Sequence, residues 1–351
     1  MAARDDGLRA QAITGAALSD CDAAVRAEVL AAASGHILAR AIHVASDLAL
    51  ADRFEDAPRP VEPLAAEVGA EPGALRRLLH FLARHGLFEE VEDGSFRMTA
   101  RGAMLRSDAP AATADVIRSL GHPDVWEAFG KLREAVRSGT GVRAETDLYE
   151  VSGALPHERE FSRAMAGYHW TEPEAVAAHI DFSRFDSIVD VGGSGGALMA
   201  AILQRHPGPR GTIFDRPGLA AEALSNLGAL GLQARCRFVG GDFFTAVPGG
   251  EGLYILSHVL HDWADADAIR ILRRCRDAMG DGSRLIVIEA FVAPGGEGES
   301  EIPADLLLLA NTAGRLRSVE EHTSLLASVG LRLCRVVACG PRLSAIESEA
   351  A

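Results

Sequence analysis

Apolar and polar positions change rhythm twice along this chain. From Asp22 to Leu50, Ala, Val, Leu and Ile recur at helical spacing with little but Gly35 to interrupt them. Residues 1 to about 20, ahead of that stretch, read as a loose or weakly helical arm. Pro58, Pro60 and Pro63 end the region, and a short helix, a turn through Gly69 to Gly73 and a second amphipathic helix closing at Gly86 follow. Phe88 to Glu92 and Ser95 to Thr99, joined by Asp93-Gly94, carry the signal of a β-hairpin. Helix-turn-helix plus hairpin predicts a winged helix. Residues 111 to 180 read as mostly helical. From Phe185 the rhythm shortens to apolar runs that alternate with helices: Ser187–Val191, Gly211–Asp215, Cys236–Gly240, Leu253–Ser257 and Arg284–Glu289, with a helix over Asp265–Met279. That alternation predicts a parallel sheet with helices on both faces. Val292 to Ser300 reads as a surface loop. Helices near Ala304–Ala313 and Val319–Val329 and strands near Arg332–Ala338 and Arg342–Ile346 close the chain.

The loops between those elements carry the first chemistry. Ile188 to Gly196 (IVDVGGSGG) is an apolar run ending in Asp190, followed by glycines that let the backbone turn tightly against a ligand. The helix from about Ala197 then points its amide-rich N-terminus at that ligand. About twenty residues on, a second run ends in Asp215, and an acid at the tip of the second strand is placed to accept hydrogen bonds from a ribose diol. Together they predict an adenosine-type cofactor.

Composition narrows the partners. The 351 residues suffice for two domains, taken as 1–108 and 109–351, the latter a helical linker over 109–180 and a Rossmann-like core over 181–351. A formal net charge of -14 argues against nucleic acid, which leans on clustered Lys and Arg. The second helix of the winged-helix region carries Arg76, Arg77, His80, Arg84 and His85, yet no basic arm or wing accompanies it, which favours a domain used for packing. Five dispersed cysteines without a C-x-x-C pair suit a reducing compartment and offer no zinc site, so no metal is expected. The N-terminus lacks an apolar signal core, and Leu306 to Ala310, the longest apolar run, is too short to cross a bilayer. These features predict a soluble, cytoplasmic protein with no membrane partner.

Several blocks in order resemble one family: IVDVGGSGG, FDRPGL, GDFFTAVPGG, YILSHVLHDWADADAIRILRRC, RLIVIEA, DLLLLANTAGRLRS and LLASVGL, spanning about Ala33 to Gly340. The chain resembles the caffeic acid O-methyltransferase-like family, plant and bacterial class I enzymes that use S-adenosylmethionine. The resemblance implies a winged-helix dimerisation domain and hence a homodimer. It implies that Asp190, Gly192, Gly193 and Gly196 shape the pocket for the methionine moiety, that Asp215 takes the ribose, and that Asp242 and Phe243 lie against the adenine. Ser257 falls where the family places a polar cofactor contact, a lysine in plant members, and Ser194 replaces the usual middle glycine of the loop.

The resemblance also places His261, in Leu260-His261-Asp262-Trp263, in the slot of the catalytic histidine, with Glu289 as its orienting carboxylate. The family's second glutamate would fall at Leu316, so the base is held from one side or with help from Asp262. A phenol, with a pKa near ~10, is mostly neutral at physiological pH, and a neutral imidazole is matched to take its proton. Phe161, Met165 and Asn311 align with the family's acceptor pocket; Phe161 and Met165, four residues apart on one helix, face the same side. Tyr168 and Trp170 are further candidates to reach the acceptor, and His258 is the competing histidine, read as structural.

The leading expectation is methyl transfer to a hydroxyl of a small phenolic or polyketide-type aromatic. Methyl transfer to nitrogen of a phenazine-like acceptor is one alternative. Another is a cofactor-binding relative that hydroxylates or decarboxylates, against which the intact His261-Asp262-Trp263 block counts. A dinucleotide dehydrogenase is disfavoured because G-x-G-x-x-G is absent.

Overall fold

The computed structural model describes residues 20–91, 94–141, 155–291, 302–341 and 343–351. The expected N-terminal arm, the tip of the hairpin at Asp93, the loop over 292–300 and Arg342 lie outside the described residues. The chain divides into two compact units, Met1–Ala103 and Met104–Ala351.

The first unit opens with α1 (Asp20–Ala33) and α2 (Gly35–Asp47). The break falls at Ser34, whose hydroxyl bonds back to the carbonyls of Leu30 and Ala31 at 2.9 and 3.0 Å. Cys21–Asp47, 27 residues, is the one helical stretch among the described residues long and apolar enough to cross a bilayer, and it is mostly exposed. Arg26, Glu28, His36 and Arg40 interrupt it, so it holds no long unbroken apolar run.

Strand β1 (Arg59–Pro60) leads into α3 (Val61–Val68) and α4 (Pro72–Arg84), and β2 (Phe88–Glu90) and β3 (Ser95–Met98) make the hairpin. Gly69, at φ +67°, ends α3, and the Glu71 carboxylate starts α4 by accepting from the Gly73 and Ala74 amides. Leu75, Leu79 and Leu82 form the buried stripe of α4, in a core that also holds Leu64, Phe88 and Phe96. The sheet order β1-β3-β2 completes the winged helix; β1, two residues long, gave no alternating pattern to read. Arg76 of α4 bonds to Glu62, and His80 contacts Glu90.

In the second unit come α5 (Thr113–Gly121), α6 (Pro123–Gly130), α7 (Leu132–Ser138), α8 (Leu155–Tyr168) and α9 (Glu172–His179). Next are β4 (Ser187–Val191), α10 (Ala197–Arg205), β5 (Arg210–Asp215), α11 (Ala220–Ala229), β6 (Cys236–Gly240), β7 (Leu253–Ser257), α12 (Asp265–Ala278) and β8 (Arg284–Ala290). The unit ends with α13 (Ile302–Asn311), α14 (Val319–Ser328), β9 (Leu331–Ala338) and β10 (Leu343–Ala350).

The seven strands are ordered β6-β5-β4-β7-β8-β10-β9. The five expected strands are parallel, whereas β10 runs antiparallel to both neighbours, as a hairpin with β9 requires. Ile188, Ile213 and Ile255 pack on one face with Met199 and Leu203 of α10. Val189, Tyr254 and Val287 pack on the other with Ile271 and Leu272 of α12 and Leu326 of α14. Strand order reverses between β4 and β7, and in open α/β sheets the crevice beyond the carboxyl ends at that point is where ligands bind.

Candidate active site at the carboxyl edge of the sheet

The loop after β4 is shaped by positions a side chain cannot occupy. Gly192 and Gly196 have φ of +80° and +81°. A Cβ on Gly192 would lie 2.8 Å from Val259, on Gly193 2.8 Å from the Asp190 carboxyl carbon, and on Gly196 2.4 Å from Ile213. Ser194 keeps the turn at φ +50°, a left-handed conformation that only small or locally bonded residues adopt readily. Its amide donates to Asp215 Oδ2 at 2.8 Å, and the Arg216 amide donates to the other oxygen at 2.7 Å. Asp215 thus ties the glycine loop to the end of β5. The Ser194 hydroxyl pairs with Ser162 of α8 at 2.7 Å, and Asn226 of α11 donates to the Gly195 carbonyl at 3.0 Å.

Asp190 is 2 % exposed, and burial, reinforced by the charge of Asp215, pushes its carboxyl up to about 7. Phe243 approaches the loop at Gly192 and meets Phe244 and Trp263 edge-on. The Asp242 carboxylate is exposed and accepts from the Phe244 amide at 2.8 Å and the Thr245 hydroxyl at 2.9 Å. Ser257 is the last residue of β7.

Beyond β7 the chain makes a 3-10 turn, Leu260–Asp262, that presents His261. Glu289, near the end of β8 and fully buried, receives this turn. Its Oε2 lies 2.6 Å from His261 Nδ1, and its Oε1 accepts from the Leu260 and His261 amides at 3.1 and 3.3 Å. His261 Nε2 is left facing Asp262 Oδ1 at 3.6 Å, with the imidazole 16 % exposed. Burial alone would lower the His261 pKa, but the charges of Glu289 and Asp262 overcome it and raise it to about 9, with Arg317 pulling the other way. Burial would likewise raise Glu289, yet His261, then His258 and His322, hold it at about 2. Glu289 is therefore a buried anion bound to the histidine, not a strand-end acid in water.

The other expected positions are partly engaged. Leu316 is buried, and its amide donates to Asp305 at 2.8 Å. Asn311 is buried and spends one amide hydrogen on its own helix, at the Leu307 carbonyl. Phe161 and Met165 are half-buried on α8, whereas Tyr168 and Trp170 are exposed.

Sequence reasoning did not find His169, Glu172 and Arg317. His258, at φ +53°, donates from Nε2 to the Glu172 carboxylate at 2.5 Å, stacks on His169 at 3.9 Å and turns Nδ1 toward Glu289 at 3.9 Å. Burial opposes ionisation of Glu172, but its contacts with His169 and His258 outweigh that and bring it to about 2. A non-glycine residue at positive φ costs about 1–3 kcal/mol, so His258 is held in place rather than relaxed there. Ligand-type atoms of His169, Glu172 and His258 lie close enough for a metal, as do those of His258, His261 and Glu289. In both sets imidazole nitrogens already face carboxylates, and the His169 and His258 rings are stacked at 24° rather than converging on one point. His169 and Glu172 are only three residues apart, but no spacing signal joins them to His258, or Arg317 to the turn it holds.

A glycine cradle with no room for side chains, a carboxylate at the tip of β5, and a buried acid whose ionisation a cation would favour suit a donor carrying ribose and positive charge. Fold and site together define a class I S-adenosylmethionine-dependent methyltransferase. Residues 129–332 match the O-methyltransferase domain and residues 30–108 the O-methyltransferase dimerisation domain. The chain belongs to this O-methyltransferase family, of the plant-type class. It is 41 % identical over 307 residues to the mitomycin biosynthesis 6-O-methyltransferase of Streptomyces lavendulae, covering 86 % of this chain and 88 % of that protein. Among solved structures, the mitomycin 7-O-methyltransferase superposes with a TM-score of 0.89 at 38 % identity, covering 95 % of this chain and 100 % of the other. An O-methyltransferase from neocarzinostatin biosynthesis, solved with S-adenosyl-L-homocysteine and 1,4-dihydroxy-2-naphthoic acid, gives 0.79 at 31 % identity, covering 90 % and 96 %. The enzyme is an S-adenosylmethionine-dependent O-methyltransferase.

Proposed function

We propose that the enzyme methylates a hydroxyl of a small phenolic or polyketide-type aromatic, with His261 as general base, and that it works as a homodimer. The observation that carries the base assignment is the grip of Glu289 on His261. One carboxylate oxygen takes the Nδ1 hydrogen while the other takes two backbone amides, which fixes ring, tautomer and turn at once.

Asp190, the glycines at 192, 193 and 196, Asp215, Asp242, Phe243 and Ser257 would hold the cofactor. When bound, it supplies an electrophilic methyl group on a sulfonium. The rest of the work falls to the protein: it must align the acceptor oxygen and take its hydrogen. His261 Nε2 receives that hydrogen, and Glu289 stabilises the imidazolium that results. In the resting enzyme the raised pKa keeps this imidazole protonated at neutral pH, so positive charge brought to the same edge favours its conversion to the base. Phe161, Met165 and Asn311 are assigned to the acceptor. The wedge of apolar residues exposed on the first two helices, Val25, Val29, Leu30 and Ile37, supports the dimer.

Methyl-labelled cofactor offered with hydroxynaphthoates, substituted phenols and aromatic amines tests the reading. Label should pass to oxygen and leave the amines unmarked; label found only on ring or amino nitrogen would replace it with N-methylation. Replacement of Val29 by Asp should shift sedimentation from dimer to monomer, and a wild-type protein that sediments as a monomer would remove the dimer.

A further inference from the structure

We propose that Arg317 is a positioning residue for His261, holding the turn that carries it jointly with Gly314. This rests on the assignment of His261 as base. Glu289 takes the amides of the turn, but the carbonyls flanking His261 lie past the end of β7 and have no strand to bond. Arg317 takes them. Its Nη1 donates to the Leu260 carbonyl at 2.7 Å, its Nη2 to the Trp263 carbonyl at 2.6 Å, and its Nε to Asp265 Oδ1 at 2.9 Å. The side chain is 1 % exposed, and three donors of one planar fork are spent on residues on either side of the base.

Gly314 works by contact. A Cβ there would stand 1.8 Å from the His261 carbonyl oxygen and 2.5 Å from the Asp262 carbonyl carbon, so the 314–317 segment lies directly against the peptide of the base. The segment is itself anchored, through the Leu316 amide on Asp305 and through Arg315 on Glu321. It is the stretch in which this chain has Leu316 where plant members of the family carry a second glutamate.

Arg317 also acts through its charge. The groups facing His261 are Glu289 from β8, Asp262 from its own turn, His258 just after β7, His169 ahead of α9, and Arg317. Asp265 at the start of α12 and His322 of α14 face Arg317. Glu289 and Asp262 favour the imidazolium, and Arg317 opposes them. Without that opposition the base would become harder to free.

Three variants separate placement from charge. Arg317→Gln removes both, Arg317→Lys keeps the charge and loses the fork, and Gly314→Ala keeps the arginine and displaces the turn. The expected losses in kcat are about ten- to a hundredfold for Arg317→Gln and Gly314→Ala, with cofactor Kd by calorimetry within twofold of wild type, since small misplacements of a catalytic group cost that much. Only Arg317→Gln should move the acid limb of kcat to higher pH, and Arg317→Lys should restore the limb with part of the rate. If Arg317→Gln does not fold, the lysine and Gly314→Ala variants carry the test. In a His261→Gln background, Arg317→Gln should cost almost nothing further. Wild-type kcat in Arg317→Gln and Gly314→Ala, an unmoved limb, or an equal loss in the His261→Gln background would overturn the inference. Full turnover of His261→Gln alone would instead sink the base assignment.

Discussion

On the β4–β5–β6 side of the sheet edge lie most of the groups assigned to the cofactor, Ser257 of β7 excepted, and they are mainly backbone turns, close approaches and acids at or just past strand ends. On the β7–β8 side, the groups assigned to chemistry are ionised side chains packed out of water. The glycine loop excludes side chains at 192, 193 and 196, and its one serine is tied down by amide and hydroxyl. The histidine turn instead depends on an anion, Glu289, and a cation, Arg317, both almost wholly buried. A backbone cradle is tolerant of charge and intolerant of volume. A buried charge network is the reverse, because an ion stripped of its partner costs far more than a lost contact.

The largest effect expected from this contrast is on the chemical side. His261→Gln should lower kcat by about a hundred- to ten-thousand-fold while cofactor Kd by calorimetry stays near wild type. Retained turnover would show that the network is scaffolding and not chemistry. The next is on the cradle: Gly196→Ala adds a methyl 2.4 Å from Ile213 at a φ of +81°. Cofactor Kd should rise by about tenfold or more, since overpacking and left-handed strain each cost on the order of 1–3 kcal/mol, with kcat at saturation largely kept. Unchanged affinity would separate the loop from the cofactor.

The smallest effect concerns pH. The Asp190 carboxyl lies at about 7 without ligand, because burial disfavours its charge. A cationic donor favours the ionised form, so binding expels a proton below that pH and affinity should fall by up to about tenfold per unit of acidification. His261 contributes a slope of the same sign, since its imidazolium also repels a cation. Titrations at pH 6 and 8 should therefore show tighter binding at 8, and Asp190→Asn should flatten the part of the slope centred near 7. An unaltered slope in that variant would place the linkage on His261 alone.

The same contrast explains what could be read from the residues alone. Asp190, Gly192, Gly196 and Asp215 were legible because a strand, a tight turn and a helix start are local events with local composition. The five parallel strands were legible for the same reason, and β1 was not, since two residues have no period. His261 and Glu289 came from resemblance to a family; no rule of spacing joins positions 28 residues apart. Glu172 and Arg317 were silent for a related reason. An arginine after a glycine-containing turn looks solvated in a linear string, and only packing shows that its fork closes on Leu260, Trp263 and Asp265.

The hydroxyl pair between Ser162 and Ser194, 32 residues apart, clips the helix that carries Phe161 and Met165 to the glycine loop after β4. A variant built to test other acceptors can therefore change Phe161, one residue before Ser162, and Met165, three after it, while leaving the clip in place. A residue without a hydroxyl at 162 would release the glycine loop from that helix without touching either neighbour.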